Sequence, residues 1–480
     1  MLQRKDLNPN ALRAQYAVRG PIVDRAQQLE AQGRRIVYCN IGNPQALRQK
    51  PVTYLRQLLS LVEYPPLLDA PEVAKLYPPD VVARARRLLE QHPPGTGAYT
   101  QSAGLGFVRE AVAAFIARRD GIPTDPKRVL LTDGASKGID LVLQALVQGP
   151  ATGIMVPVPQ YPLYSATVAR YGGARVDYAL DEAAGWQLTE GELERAAGEA
   201  IRHGVRPVAI AVINPGNPTG AVLRPETIAM VARFARRHGL AILADEVYQD
   251  NVYAPDARFV SFARVLHDLN ERDVSLFSFH SVSKGYLGEC GHRGGYLEHR
   301  NLAEDVAQEL TKLQSISLCS NIPGQIAVHV MVAPPQPGEP SHASYTAERA
   351  AILDGLKAKA EILAKGVRGI PGMSLVEPQG AMYAFVRLEL PPEPGTDVES
   401  MTPERRREHE SKRDSAWCLA LLEETGICVV PGSGFGQAPG TLHFRTTFLP
   451  PREEIEGLVA RLRDFHARYV QRLSAAPARP

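Results

Sequence analysis

Cysteine is scarce in this sequence, and its spacing excludes two classes of protein that depend on it. Only five of the 480 residues are cysteines, and no two of them have the Cys-x-x-Cys spacing. Small disulfide scaffolds and zinc modules need cysteines that are more frequent and closely paired. We therefore expect a protein of a reducing compartment, the cytoplasm, without a bound metal ion.

Long apolar runs are also missing. The longest stretch without a charged residue, 141–169, is interrupted by four prolines and by glycines, which prevent a continuous membrane-spanning helix. The first residues, MLQRKDLNPN, are polar, and the apolar core of a secretory signal does not follow them. The sequence therefore predicts a soluble protein with no membrane partner.

A strong excess of one charge is absent as well. The chain has 54 lysines and arginines against 52 aspartates and glutamates, a net charge of +2. Nucleic-acid binders usually carry a basic excess, so this balance argues against a nucleic-acid partner. Charge is locally dense in the proline-rich residues 391–414, which we interpret as a solvated surface insertion.

The sequence does contain a series of short apolar runs in the middle of the chain. Each has about the length of a strand and is apolar on both faces, and amphipathic stretches such as residues 226–239 separate them. Strands of this kind form mainly parallel sheets that helices cover on both sides, so we predict an α/β fold. The runs are RVLLT (128–132), GIMVPVP (153–159), PVAIAVI (207–213), LAILADE (240–246) and VSLFSF (274–279).

The two ends of the chain predict a second, smaller domain. The length of the whole chain predicts two or three domains. Hydrophobic residues make up 44% of the chain, enough for a large core. We divide the chain into an N-terminal arm and part of the small domain (1–85), a large domain (86–345) and the C-terminal part of the small domain (346–480). Three further strands are predicted in the last part, at 381–388, 427–432 and 441–448.

Polar or glycine-rich residues follow four of the predicted strands. Ligands of parallel sheets bind at the carboxyl ends of the strands, so we expect these segments to converge on one edge of the sheet. The segments are DGAS (133–136), NPGNPTG (214–220), DEVY (245–248) and HSVSK (280–284).

Three of these segments also have a purely structural interpretation. The helix start after DGAS could bind an anion through its backbone N–H groups, or Ser136 could cap the helix, and the two are equally supported. Asn214 is expected to shape the tight turns of NPGNPTG, whereas the side chain of Asn217 suits a ligand contact. Asp245 either meets a cation or caps the next helix.

The HSVSK segment and the residues after it bring reactive groups together. Lys284 could extend to solvent, or it could be held in the core as a nucleophilic amine that forms a Schiff base. Arg293 can bind a phosphate or a carboxylate through two hydrogen bonds, and the glycines between the two residues let the backbone wrap closely around a ligand. An anion site, a buried carboxylate and a lysine are what pyridoxal phosphate requires, so the combination indicates this cofactor.

The same motifs resemble a known family. The segments LTDGAS, PVPQYPLYSA, NPGNPTG, ADEVYQD, SVSKGYLGECGHRGGY and HFRTTF look like those of the class I, fold-type I aminotransferases, which use pyridoxal phosphate. SKGYLGECGHRGGY, NIGNPQ and PPQPGEPSHASY are similar to the branch that contains alanine and glutamate–glyoxylate aminotransferases. The resemblance covers nearly the whole chain. It implies a large domain with a mostly parallel seven-stranded sheet and a smaller α/β domain built from both termini.

The resemblance implies a role for each candidate residue. Lys284 would carry the cofactor as an aldimine and move a proton between substrate and cofactor. Asp245 would keep the cofactor's ring nitrogen protonated. Arg445 would bind the substrate's α-carboxylate, and Gly42 would close over it. The other cofactor contacts would be Asn217 (also at the substrate) and Tyr248 at the 3′ oxygen, Tyr161 stacked on the ring, and Ala135, Ser136, Ser281, Ser283 and Arg293 at the phosphate.

The implied partners are a second subunit and small-molecule substrates. Tyr99 would contact the phosphate of the neighbouring subunit, which implies a homodimer. The implied reaction moves the amino group of L-alanine to 2-oxoglutarate, giving pyruvate and L-glutamate, in a ping-pong cycle. No second arginine motif for a distal carboxylate is found, which favours a small donor such as alanine.

Two alternative functions stay open at this point. A glutamate–glyoxylate or broader-specificity aminotransferase is the nearer one, because small apolar pockets discriminate weakly between side chains. A transcription regulator that senses the cofactor through an aminotransferase-like domain is the remote one. It needs an additional DNA-binding domain, whereas NIGNPQ begins at residue 40 and leaves no space for one.

Overall fold

The computed structural model describes residues 1–16, 20–392, 398 and 400–475. In these ranges the α-helices are α1 (Pro9–Arg13), α2 (Pro21–Ala31), α3 (Thr53–Glu63), α4 (Val73–Leu76), α5 (Pro79–Gln91), α6 (Gly106–Asp120), α7 (Ala135–Leu146), α8 (Leu163–Arg170), α9 (Glu190–Arg202), α10 (Pro225–His238), α11 (Phe262–Asp268), α12 (Glu304–Ser315), α13 (Ile322–Val332), α14 (His342–Arg368), α15 (Pro403–Thr425) and α16 (Arg452–Ala475). The β-strands are β1 (Val37–Tyr38), β2 (Val129–Thr132), β3 (Thr152–Val158), β4 (Ala174–Ala179), β5 (Arg206–Ile213), β6 (Ala241–Asp245), β7 (Leu276–Ser281), β8 (Gly295–Arg300), β9 (Met373–Ser374), β10 (Tyr383–Leu388), β11 (Ile427–Cys428), β12 (Val430–Pro431) and β13 (Leu442–Thr447).

Seven of these strands form one central sheet. Its strand order is β2-β8-β7-β6-β5-β3-β4, and all pairings are parallel except those of β8, which is antiparallel to β2 and β7. The five apolar runs of the sequence become β2, β3, β5, β6 and β7. The prediction of an α/β fold with a mostly parallel sheet is confirmed.

Two strands of this sheet are not among the predicted runs, for different reasons. β4 lies at an edge, and only its alternate residues Val176 and Tyr178 are buried. β8 is buried along its whole length although it contains Glu298 and Arg300. Their carboxylate and guanidinium form an ion pair with an N–O distance of 2.7 Å. A search for uniformly apolar runs misses both an amphipathic edge strand and a strand with paired charges.

Helices cover both faces of the sheet, as alternate residues of β5 show. Ala209 and Ala211 pack into a core that includes residues of α7. Ile210 and Val212 pack into the opposite core, with residues of α9 and α10. Because successive side chains of a strand point to opposite faces, burial on both sides produces a continuous apolar run.

A second, four-stranded sheet has the order β12-β13-β10-β9, and its neighbouring strands are antiparallel. Phe385 of β10 pairs with Arg445 of β13, so Tyr383, two residues before Phe385, lies on the same face as Arg445. The strand predicted at 427–432 divides in two. β12 joins this sheet, whereas β11 pairs in parallel with β1 from the beginning of the chain. Both ends of the chain thus contribute to one region, and the domain boundaries stay predictions.

Residues 403–414, the second half of the segment interpreted as a solvated insertion, are mostly exposed or half-buried as predicted, but they form the start of a helix and two of its side chains, Glu410 and Asp414, are buried. α15 begins at Pro403, and the side chain of Asp414 within it is fully buried. Asp414 accepts hydrogen bonds from the backbone N–H of Ser433 at 2.8 Å, from its hydroxyl at 3.0 Å and from the amide of Gln437 at 3.1 Å. These donors make the burial of a carboxylate possible. Residues 393–397 and 399 lie outside the described part of the chain.

The described ranges contain no helix that is both long and apolar enough to cross a bilayer. In the same ranges, no group of histidine, cysteine, aspartate and glutamate side chains is arranged to hold a metal ion.

Candidate active site

The polar segments that follow the strands meet in one cavity of about 480 Å³. Residues 41–43 and the strands β10 and β13 also contribute to its lining. Twelve of the predicted site residues line it: Gly42, Ala135, Ser136, Tyr161, Asn217, Asp245, Tyr248, Ser281, Ser283, Lys284, Arg293 and Arg445. A larger groove of about 960 Å³ lies elsewhere on the molecule and contains none of them.

Lys284 follows the end of β7, and its amine lies inside this cavity. The amine donates a hydrogen bond to the carbonyl oxygen of Gly42 at 2.7 Å. The side chain of Asn251 fixes the turn, because it accepts from the N–H of Gly285 at 2.9 Å and donates to the carbonyl of Gly285 at 3.2 Å. Gly285 has a φ of +64°, which glycine adopts without strain. The lysine is thus held by a neutral carbonyl and not by an ion pair, an arrangement that suits a nucleophilic amine.

Arg293 lies at the start of α7, where the backbone N–H groups have no partner within the helix. Its guanidinium donates to the hydroxyl of Ser136 at 3.2 Å and to the carbonyl of Asp133 at 3.1 Å. The guanidinium packs against the α-carbon of Gly134, whose φ of +78° favours glycine at this position. A cation, the N–H groups of a helix start and a hydroxyl together form a binding site for a phosphate.

The cap interpretation of Ser136 is wrong. Gly134 occupies the N-cap position of α7, and Ser136 lies within the first turn, where its hydroxyl contacts Arg293. The hydroxyl of Ser281 accepts from the N–H of Ser283 at 3.0 Å. The hydroxyl of Ser283 is buried and has no partner among the described residues. Since it lines the cavity, this hydroxyl is available to a ligand such as a phosphate.

Asp245 ends β6 and is 4% exposed. Its carboxylate accepts from the hydroxyl of Tyr164 at 3.3 Å and from the N–H of Val247 at 3.5 Å. Burial raises the pKa of Asp245 to about 6, although these hydrogen bonds and the positive charge of Lys284 oppose the rise. A turn and not a helix follows, so the cap interpretation is wrong. A carboxylate buried without an ion-pair partner in the described chain suits a ligand that brings a cation.

We expect Asp245→Asn to stabilise the cofactor-free protein at neutral pH. The pKa of the carboxyl is higher in the folded chain, about 6, than its ordinary value of 3.8. The folded state therefore binds a proton more tightly, and wild-type stability falls as the pH rises through this range. The difference between the two pKa values corresponds to a loss on the order of 3 kcal/mol from the wild type's free energy of unfolding at neutral pH. Thermal unfolding of both proteins from acid to neutral pH measures it. If the extra stability of Asp245→Asn over the wild type stayed the same toward acid pH, this account would be contradicted.

Arg445 lies in the middle of β13 and is 1% exposed. Its guanidinium donates to the side-chain oxygen of Asn217 at 3.1 Å and to the carbonyl of Asn40, while its Nε has no partner among the described residues. A buried, partly unsatisfied guanidinium suits a carboxylate ligand. In the same turn as Asn217, Asn214 accepts from the N–H of Leu223 at 2.9 Å, which matches the structural role expected for it.

Among the lining residues that the sequence analysis did not assign, four have polar side chains or a thiol: Tyr16, Asn43, Cys290 and Tyr383. The hydroxyl of Tyr16 hydrogen-bonds to that of Tyr161, and the two rings meet edge to face at 6.1 Å. Tyr383 is 3% exposed, and a Cβ atom at Gly42 would overlap its hydroxyl oxygen. Asn43 and Cys290 lie within the motifs NIGNPQ and SKGYLGECGHRGGY, so the sequence offered a signal for them, whereas only the tertiary structure brings Tyr16 and Tyr383 to the cavity.

Tyr99 does not line this cavity. Its side chain is 76% exposed, and the N–H of the next residue, Thr100, contacts the sulfur of Cys319 at 3.4 Å. The predicted contact of Tyr99 with the phosphate of a neighbouring subunit stays a prediction.

The side chains present fit pyridoxal phosphate. The unpaired hydroxyl of Ser283 and the guanidinium of Arg293 provide donors for a phosphate. The buried carboxylate of Asp245 suits a protonated ring nitrogen, and the amine of Lys284 suits an aldehyde carbon. These four groups line a single cavity, which is what binding of one cofactor requires.

Comparisons with known proteins agree with this chemistry. The family model described as "Aminotransferase class I and II" matches residues 68–462. The chain is 48% identical over 481 residues to alanine aminotransferase 1 of Homo sapiens, an alignment that covers 96% of this chain and 94% of the human one. It is 46% identical over 479 residues to a probable mitochondrial alanine aminotransferase of Dictyostelium discoideum, with 96% and 88% covered.

A solved structure is similar along nearly the whole chain. The alanine aminotransferase from Pyrococcus furiosus superposes with a TM-score of 0.76 at 26% identity, and the match covers 96% of this chain and 100% of that one.

Proposed function

Because the chain belongs to the class I and II aminotransferase family, we propose that it is a pyridoxal-phosphate-dependent alanine aminotransferase. It transfers the amino group of L-alanine to 2-oxoglutarate and gives pyruvate and L-glutamate. The observation that carries this proposal is the single cavity that holds the amine of Lys284, the buried carboxylate of Asp245 and the buried guanidinium of Arg445. The relatives named alanine aminotransferase support the choice of donor.

Different parts of the cavity hold the cofactor. Ser136, Ser283 and Arg293 would hold its phosphate, Asp245 would hold its ring nitrogen, and the amine of Lys284 would be the group that links to its aldehyde carbon, since all five line this cavity. When bound, pyridoxal phosphate accepts the electrons that remain on the substrate's α-carbon after its proton is removed.

The chain's own side chains orient the substrate and move the proton. Arg445 binds the α-carboxylate through its forked guanidinium, and this contact is strong because the guanidinium is buried. Lys284 would take the proton from the α-carbon and deliver it to the cofactor's aldehyde carbon, which leaves the amino group on the cofactor and an oxo acid to be released. The carbonyl of Gly42, which accepts from the amine at 2.7 Å, keeps that amine directed into the cavity.

The charges of the lining favour a short donor side chain. Among the described lining residues, the lysines and arginines are Lys284, Arg293 and Arg445, and each already has a role. An amino-acid substrate with a small uncharged side chain fits such a site. The distal carboxylate of 2-oxoglutarate would therefore be bound by neutral hydrogen-bond donors, and Asn43 and Tyr16 line the cavity.

Mixing the purified, cofactor-loaded protein with L-alanine, without an acceptor, tests the proposal. We expect the yellow absorbance of the bound cofactor to disappear and about one equivalent of pyruvate per site to form. A parallel sample with L-glutamate measures the other half of the cycle. If glutamate and glyoxylate react while alanine does not, the donor assignment is wrong. A protein that does not bind pyridoxal phosphate would overturn the cofactor assignment too.

A homodimer in which Tyr99 completes the neighbouring phosphate site is part of this proposal. Tyr99 and Ile316 are both 76% exposed, and Leu318 is 49% exposed. The contact of Thr100 with Cys319 places these apolar side chains in one region of the surface. A cluster of exposed apolar side chains is typical of an interaction surface. Sedimentation velocity should give the mass of a dimer, and a fully active monomer would contradict it.

A cytoplasmic location is also part of the proposal. All five cysteines are free thiols, and Cys39, Cys418 and Cys428 are buried. A reducing compartment keeps such thiols free. Microscopy of the tagged full-length chain tests this location, since the Dictyostelium relative is named as mitochondrial.

A further inference from the structure

We propose that Tyr383 is a positioning residue that joins the two halves of the substrate site: its ring orients Arg445, and its hydroxyl orients the amine of Lys284. The inference rests on the proposed function, because it concerns the part of that site where the substrate's α-carbon lies.

The ring of Tyr383 lies against the guanidinium of Arg445. The two residues are on the same face of the paired strands β10 and β13. The guanidinium carbon lies 4.2 Å from the centroid of the Tyr383 ring and 4.5 Å from that of Phe435. Contact with two aromatic rings stabilises a buried guanidinium and restricts its tilt. Tyr383 therefore helps to fix the direction in which the free Nε of Arg445 points.

The hydroxyl of Tyr383 lies beside the amine of Lys284. A Cβ atom built on Gly42 would overlap this hydroxyl oxygen, and it would lie 3.0 Å from the nitrogen of Lys284. Both polar groups are thus packed against the α-carbon of Gly42, and the carbonyl oxygen of Gly42 accepts a hydrogen bond from Lys284. Any residue larger than glycine at position 42 would separate them.

Hydrogen bonding and charge distinguish Tyr383 from its neighbour Tyr248. The rings meet edge to face at 6.1 Å, and the hydroxyls of Tyr248 and Tyr383 share a hydrogen bond. Burial alone would raise the pKa of Tyr383, and Cys290 acts in the same direction. The positive charges of Lys284 and Arg445 and the hydrogen bond with Tyr248 outweigh both and lower the pKa of Tyr383. Burial and Tyr383 raise the pKa of Tyr248 well above its ordinary value.

A substrate places its carboxylate at Arg445 and its amino group at Lys284, and both groups are bonded to the same α-carbon. A side chain that contacts both binding groups fixes their separation and direction. Effective catalysis depends on such alignment. The ring and the hydroxyl of Tyr383 should therefore have separable effects, the ring on carboxylate binding and the hydroxyl on the chemical step.

The variants Tyr383→Phe and Tyr383→Leu separate the two contributions. In the cofactor-free protein we expect propionate, a carboxylate without an amino group, to bind Tyr383→Phe with nearly wild-type affinity. It should bind Tyr383→Leu about tenfold more weakly, the loss expected for one cation–ring contact. In the loaded protein, Tyr383→Phe should lower kcat for alanine and shift its pH profile with KM unchanged. Tyr383→Leu should also raise KM.

Tyr253→Phe is the matched control for loss of a buried hydroxyl. Tyr253 donates to the carbonyl of Ala381 at 2.7 Å and is not part of the cavity lining. Ultraviolet titration of the cofactor-free proteins adds a readout that does not depend on catalysis. Wild type and Tyr253→Phe should show one tyrosine that ionises before the others, and Tyr383→Phe should lack it.

The outcomes separate this inference from the proposed function. If wild type does not react with alanine, the proposed function fails, while propionate binding and the tyrosine titration still test Tyr383. Unchanged propionate binding in Tyr383→Leu overturns the role of the ring. An unchanged kcat and pH profile in Tyr383→Phe overturns the role of the hydroxyl, and this conservative variant decides it even if Tyr383→Leu does not fold.

Discussion

Lys284→Ala is expected to abolish transamination without disturbing the fold. The amine makes one hydrogen bond, to the carbonyl of Gly42, and takes part in no ion pair within the described residues. Its removal therefore costs little stability. It eliminates both the covalent link to the cofactor and the base at the α-carbon, so turnover should fall by about 10⁴-fold or more. Turnover of alanine with 2-oxoglutarate measures the loss, and a variant that keeps normal activity would end the assignment of Lys284.

Lys359 provides a matched control for this experiment. It is also a largely buried lysine, and burial lowers its pKa to about 8, so its amine is chemically reactive too. It donates to the carbonyl of Leu449 at 2.8 Å and does not line the cavity. Lys359→Ala should lose some stability and keep its kcat. If both variants lost activity equally, general destabilisation and not the loss of a catalytic amine would be the explanation.

Arg445→Leu is expected to cause the second largest loss. The guanidinium is buried and contacts Asn217, Asn40 and two aromatic rings, so it is held ready for a carboxylate. Removing one partner of a buried charged contact should lower kcat/KM for alanine by about 10² to 10³-fold. Most of the loss should appear in KM, since the substrate's carboxylate is bound before and during the chemical step. Steady-state kinetics with alanine measure it.

Two variants make this test specific. Arg445→Lys keeps the positive charge but loses the forked pair of donors, so it should recover only part of the affinity. Arg387 of the adjacent strand β10 is 38% exposed, pairs with Glu182 at 3.2 Å and lies outside the cavity lining. Arg387→Leu should therefore leave KM for alanine unchanged. A KM that rises equally in Arg387→Leu and Arg445→Leu would indicate a nonspecific charge effect.

The parts of the fold and site that follow from local sequence could be predicted. Runs that are buried on both faces are apolar throughout, so β3, β5, β6 and β7 are visible in the sequence. The residues after them must lie at one sheet edge because the strands are parallel, which brings Asp245 and Lys284 together without any knowledge of side-chain contacts.

The remainder depends on pairings that composition does not encode. Asp414 is buried because Ser433 and Gln437 supply donors from a distant segment. Tyr383 looks like any aromatic residue at the start of a strand, and its importance comes from Arg445 on the neighbouring strand and from Gly42 near the other end of the chain. Residues 391–414 were assigned to solvent from their charge and proline content, and neither property reveals such partners.

The pairing of β1 with β11 has a consequence for how the protein is made. Asn40 and Gly42, which contact Arg445 and Lys284, closely follow β1, whose pairing partner β11 is synthesised only when residue 427 is reached. Before residue 427 is synthesised, β1 lacks the strand with which it pairs. Before Arg445 is synthesised, the carbonyl of Asn40 lacks the guanidinium from which it accepts a hydrogen bond. Contacts between such distant residues slow folding, because a very long loop must close before they form. Nascent chains released before residue 427 should therefore be unable to complete the substrate site, and a chaperone that delays collapse of the N-terminal segment should increase the yield of active enzyme.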